Sequence, residues 1–187
     1  MFLRRLFVSA ALLVSSNILA FSAHELQSPV GYWMMRDDTT HLPRAVIKIF
    51  PVTKGQQQTL SGSLEMPLYV SGKKWSSRCD QCISPWTNKP LHKLVFLWGF
   101  QHQNHAWNSP WVGGNIFRIE SGNEVYRSQL WLTDQGRQMK IRGYSGIFYD
   151  TQDWVRIGKK ELCRYQHLYN KQVKIHPFKS YPKPTLG

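Results

Sequence analysis

Apolar and polar residues alternate with a period of two along most of this chain, the spacing of half-buried β-strands. Residues 44–52 set Ala45, Ile47 and Ile49 on one face, and residues 124–133 set Tyr126, Ser128, Leu130 and Leu132 against Arg127 and Gln129. Residues 137–148 continue the pattern, with Met139, Ile141 and Ile147 alternating against Lys140 and Arg142. Asp134-Gln135-Gly136 between the last two segments reads as a tight turn, which predicts a hairpin. Further strands fit 30–36, 59–64, 68–74, 93–98, 113–119 and 152–158. No stretch before residue 159 carries a period of 3.6 with a capping residue. The pattern therefore predicts an all-β fold, a small antiparallel up-and-down barrel of about eight to nine strands. Residues 93–98 are apolar on both faces, so an outer cover is expected, either the C-terminal tail or a second copy of the chain.

The two ends differ from this middle. Arg4 and Arg5 precede a short apolar run from Leu6 to Val14, and Ala20-Phe21-Ser22 offers small residues for cleavage, so residues 1–22 read as a signal peptide. Ser9, Ser15, Ser16 and Asn17 interrupt the run, which is short for a membrane span. The expectation is a periplasmic or secreted protein with a barrel domain over 28–158 and a tail over 159–187. That tail holds seven Lys or Arg against one Glu, with Pro177, Pro182 and Pro184; 161–174 fits a single helix. The chain's formal charge of +13 favours anionic partners, an anionic membrane surface or a cell-wall polymer. Export makes nucleic acid an unexpected partner.

Few residues point to chemistry. Cys79 and Cys82, in an exported chain, read most simply as a local disulfide. A redox role would need the pair at a helix start, whereas 76–86 reads as a turn-rich loop. Cys163 is left over, either free, paired between chains or exchanging. Zinc is the competing reading of the pair, with His102 and His105 (or His92) completing a two-Cys, two-His set. Loop histidines are more often solvated, so neither metal nor cofactor is expected. No nucleophile elbow, phosphate loop or convincing carboxylate pair is present.

The aromatic residues offer two functions. Trp107 and Trp111, with Asn115, Trp75 and Trp86 nearby, suit stacking on a ligand or lining an apolar mouth, and equally suit packing. Trp33 in Gly31-Tyr32-Trp33 and Arg156 in Trp154-Val155-Arg156 are similar to the tryptophan and late-strand arginine that close one end of lipocalin barrels. Trp33, Trp154 and Arg156 would then form a plug, with Arg142 the competing arginine.

Several motifs in order carry a broader resemblance: Cys79-Asp80-Gln81-Cys82, Lys89-Pro90-Leu91, Trp111-Val112-Gly113-Gly114-Asn115-Ile116, Arg142-Gly143-Tyr144-Ser145-Gly146 and Thr151-Gln152-Asp153-Trp154-Val155-Arg156. Over residues 29–158 the chain resembles the domain of unknown function 2147, small exported bacterial proteins. His92 and Arg118-Ile119 depart from that pattern. The resemblance supplies no reaction. The function expected is a non-enzymatic barrel that binds a small apolar or amphipathic envelope molecule; the alternative is an interaction protein docking on anionic lipid or cell-wall polymer through its tail.

Overall fold

The computed structural model describes residues 21–68, 76–104, 106 and 109–175. The expected signal peptide up to residue 20, the strand segment 69–74, Trp75, His105, Trp107 and the tail beyond 175 lie outside the described residues.

A one-turn helix α1 (Ala23–Leu26) precedes eight strands: β1 (Gly31–Arg36), β2 (Pro43–Lys54), β3 (Gln57–Pro67), β4 (Leu94–His102), β5 (Trp111–Arg118), β6 (Glu124–Thr133), β7 (Gln138–Ser145) and β8 (Phe148–Ile157). A 3₁₀ turn at Asp134–Gly136 links β6 to β7, and helix α2 (Lys159–Ile175) follows β8. Each strand pairs antiparallel with the next, and β8 returns to β1 through Trp33↔Arg156 and Met35↔Trp154. The barrel is closed, so no strand edge is left open.

Because partners across an antiparallel ladder point to the same side, the register identifies the interior. Trp33 pairs with Ile47, Ile49 with Gly62, Leu97 with Ile116, Ile116 with Tyr126, Leu130 with Ile141 and Met139 with Trp154. Apart from half-buried Tyr126, these positions lie in one continuous core in which Trp33, Ile47, Leu97, Leu130, Met139 and Trp154 are fully buried. Small residues make room for large ones inside: a Cβ on Gly114 would stand 2.4 Å from the Phe100 ring.

One expectation is corrected and two gain detail. The stretch 137–148 is not one strand. A two-residue turn at Gly146-Ile147, with Gly146 at φ +61°, separates β7 from β8 and leaves Ile147 90% exposed instead of facing inward. Glycine at the first turn position is what such a primed turn demands. On the outer face of β4 the described residues show a cover that local patterning does not reveal. The β3–β4 connection turns back over it, with Trp86 stacked on Phe117 (centroids 4.1 Å apart) and 5.4 Å from Trp98, and the Trp86 indole N–H donating to the Val95 carbonyl. The C-terminal helix expected over 161–174 forms, extended to Lys159–Ile175. Its Leu162, Tyr165 and Tyr169 share one face and join Met34, Val46 and Met66 on the outside of β1–β3.

Candidate functional site

One end of the barrel is plugged. The Arg156 guanidinium lies 4.2 Å over the Trp33 ring and donates to the carbonyls of Gly136, Val30 and Ser28; the Trp33 indole donates to the Pro29 carbonyl. Burial lowers the Arg156 pKa to about 10, so it keeps its proton at neutral pH. Three carbonyl acceptors compensate for its desolvation. Trp154 sits deeper, fully buried and 6.4 Å from Phe96. Arg142 is not part of this plug. Adjacent to interior Ile141, it faces outward, 4.1 Å over Tyr149 and 5.3 Å over Trp131, and hydrogen-bonds Thr151.

The other end opens into a cavity of about 260 Å³, lined by Ile116, Ile141, Gly143, Phe148 and Tyr149 with Arg118, Tyr126, Ser145, Asp150 and Gln152. A second recess of about 110 Å³ shares Ile116, Arg118 and Gln152 with it and reaches Met35, Ile47, Leu64 and Phe96. Apolar groups thus form the wall and charged groups the rim. Strand alternation produces this: Ile116 and Arg118 are two positions apart on β5, Ile141 and Gly143 two apart on β7.

At the rim a short relay joins Arg118, Tyr126 and Glu124. Arg118 pairs with Glu124 at 3.6 Å, and the Tyr126 hydroxyl is near enough to both to act on their charge. The Tyr126 hydrogen bond holds the Glu124 carboxyl below its usual range, and the same bond raises the Tyr126 phenol above its own. Arg118 is raised, chiefly by its bond to Tyr126. The relay fixes charged groups over an apolar wall; it presents no activated nucleophile.

Of the residues predicted to bind ligand, Trp107 lies outside the described residues, and Trp111 and Asn115 do not line this cavity. Trp111 opens β5 at the plugged end and stacks on His102, 4.5 Å away and 3° from parallel. Asn115 points outward and accepts from Arg127 at 3.4 Å. The lining of this cavity escaped sequence reading because pocket walls alternate like core. Tyr126 was already on the inward face of its predicted strand, and Arg118 already stood out as a departure from the family pattern.

Cys79 and Cys82 form a disulfide, with Cα atoms 5.2 Å apart, and both are buried. Among the described residues no helix begins at the pair, the setting that a thioredoxin-type redox role would need. The structure does not bring His102 to the two cysteines, and His105 lies outside the described residues. His102 ends β4 at the plugged end, hydrogen-bonded to Ser109 and the Ala106 carbonyl, whereas the disulfide loop packs beside Gly122 at the mouth end. His92 bonds the Glu65 carbonyl. Among the described residues no group of three His, Cys, Asp or Glu side chains is placed to hold a metal. Cys163 is exposed on α2.

No curated protein and no solved structure matches the chain. One family model does, that of an uncharacterized protein conserved in bacteria (DUF2147), over residues 31–156, from the first strand of the barrel to the plug arginine. That span takes in the whole closed sheet apart from the last residue of β8, and the chain belongs to the DUF2147 family.

Proposed function

We propose that this chain is an exported, non-enzymatic carrier that takes the apolar part of a small amphipathic molecule into the mouth of its barrel. The observation that supports this best is the cavity of about 260 Å³ with Ile116, Ile141 and Phe148 on its wall and Arg118, Asp150 and Gln152 at its rim. Concave apolar walls with a few polar groups fit a ligand whose head stays at the surface. Export is supported by the charged and apolar N-terminus and by a disulfide suited to an oxidising compartment.

The test uses the fluorescent amphiphile 1-anilinonaphthalene-8-sulfonate, titrated into the wild-type protein and into Gly143→Leu. Gly143 lies on the cavity wall with ordinary space around an added Cβ, 3.6 Å from Ile116 and 3.7 Å from Tyr126. Saturable one-to-one binding, weakened about tenfold in the variant with its circular dichroism unchanged, is expected because the added side chain takes the volume in which the ligand would bury its own apolar surface. Identical binding in both proteins would end the carrier reading.

A second reading has its own observation. With Leu162, Tyr165 and Tyr169 turned toward the barrel, α2 exposes Lys159, Lys160, Arg164 and Lys171, a basic face suited to anionic polymer. Reversing those four charges should abolish salt-sensitive retention on a cell-wall polymer matrix. Unchanged retention would dispose of it.

A further inference from the structure

The β7–β8 hairpin turns in two residues at Gly146-Ile147, and everything at its tip is open to solvent. Ile147 is 90% exposed, Phe148 74% and Tyr149 61%, three consecutive large side chains. Folding does not ask for this, since glycine alone satisfies the turn and its partner position accepts polar residues. Isolated exposed apolar residues are ordinary, but a contiguous run on a protruding tip marks an interaction surface.

Two neighbouring features identify what the tip meets. Tyr144 and Tyr149 lie across the hairpin from one another, ring centres 6.4 Å apart, directly behind Ile147 and Phe148. Amphipathic rings behind an apolar tip are the arrangement of an interfacial anchor. Charge is the second. Around the hairpin, Arg118 is matched by Glu124 and Lys140 by Asp153, while Arg142 and Arg127 hydrogen-bond the neutral Thr151 and Asn115. Asp150 is a further acidic group at this rim, so the four cations named outnumber Glu124, Asp153 and Asp150 by one. The hairpin base is thus net positive on a chain of +13, complementary to an anionic surface.

We propose that the β7–β8 hairpin inserts its Ile147-Phe148 tip into the interfacial layer of an anionic lipid membrane, with Tyr144, Tyr149, Arg142 and Arg127 at headgroup level. Phe148 and Tyr149 also line the cavity, so insertion places the mouth of the barrel against the lipid. In its purpose this rests on the carrier reading: a ligand passes between bilayer and cavity without crossing water. In its existence it rests on the hairpin's own exposed side chains and the charges at its base.

The experiment places an environment-sensitive nitrobenzoxadiazole label at position 147 (Ile147→Cys, in a Cys163→Ser background of the full chain) and, separately, at Gln56→Cys on the exposed turn between β2 and β3 at the plugged end. Vesicles of phosphatidylglycerol with phosphatidylcholine are added. The label at 147 is expected to shift to the blue and to be quenched by lipid-borne nitroxides, and the label at 56 to do neither. Unlabelled Ile147→Asp/Phe148→Asp should bind these vesicles about tenfold more weakly, from lost apolar burial. The same variant should keep an unchanged fold by circular dichroism. Vesicle binding with no shift at 147, through the N-terminal segment or the basic tail, would overturn the proposal, as would equal shifts at 147 and 56. The readout is independent of the carrier reading, because anilinonaphthalene sulfonate binding without vesicles tests the cavity and the label tests the tip.

Discussion

The Arg156 guanidinium stands 4.2 Å over the Trp33 ring and spends its N–H groups on three backbone carbonyls that come from β1's approach and the β6–β7 turn. Arg156→Ala strips those carbonyls of a charged donor and should cost about 3–5 kcal/mol. Arg156→Lys should recover only part, because an ammonium cannot reproduce the planar fork. Arg142→Ala, on the outer face, should cost less than about 1 kcal/mol. Urea unfolding midpoints measure all three, and equal losses for Arg156 and Arg142 would remove the plug assignment.

Two glycines predict opposite outcomes for the same methyl group. In Gly114→Ala the added carbon meets the Phe100 ring at 2.4 Å, inside the packed core, and overpacking should destabilise by about 1–3 kcal/mol. In Gly143→Ala it enters the cavity at ordinary contact distance, so thermal stability should stay within about 0.5 kcal/mol. Thermal unfolding of the pair separates filled interior from open mouth.

Trp86 is the cover of β4 and β5. Trp86→Ala bares Phe117 and Trp98 and should cost about 3 kcal/mol. Cys79→Ser with Cys82→Ser, which frees only a short loop, should cost about 2 kcal/mol. Near-ultraviolet circular dichroism should lose its Trp86 contribution in the first variant and broaden in the second. A Trp86→Ala protein as stable as the wild type would refute the covering role.

The rim relay sets a pH dependence. Because the folded-state pKa of Glu124 is lowered, chiefly by the Tyr126 hydrogen bond, the unfolded chain binds the extra proton more readily. Its stabilisation is fully present above the ordinary carboxylate range and lost as pH falls through the lowered folded value. Tyr126, raised by the same bond, has the opposite window: its contribution is full below the ordinary phenol value and lost as pH rises through the folded one. In Glu124→Gln, tyrosine ring-carbon NMR should show one resonance titrating at lower pH than in the wild type. The stability difference between the two proteins should vanish in acid.

The sheet was legible because alternation and pairing are the same physical fact. The segments containing Ala45-Ile47-Ile49 and Tyr126-Ser128-Leu130 were placed on the correct faces, and the turn at Asp134-Gln135-Gly136 joins the strands it was expected to join. The failure at Ile147 has a physical reason: period-two patterning scores an apolar residue as inward, and only the Gly146 φ of +61° sends it to the tip. The cover by Trp86 was hidden for a different reason, since a loop tryptophan's destination depends on a fold-back that no local pattern encodes. The mouth was illegible in outline. Ile116, Ile141 and Gly143 differ from core positions only in what fails to fill the space before them, which is a property of the assembled barrel.

Helix α2 leaves β8 and lies across the outside of β1, β2 and β3, and so it bridges the one junction whose partners are farthest apart along the chain. Pairing β1 with β8 requires the longest loop closure in the molecule, the slowest kind of contact to gain during folding. A helix attached to one side of that junction and seated on the other acts there as a clasp. Its Tyr165 and Leu162 hold shut the place where a meander would otherwise begin to unroll.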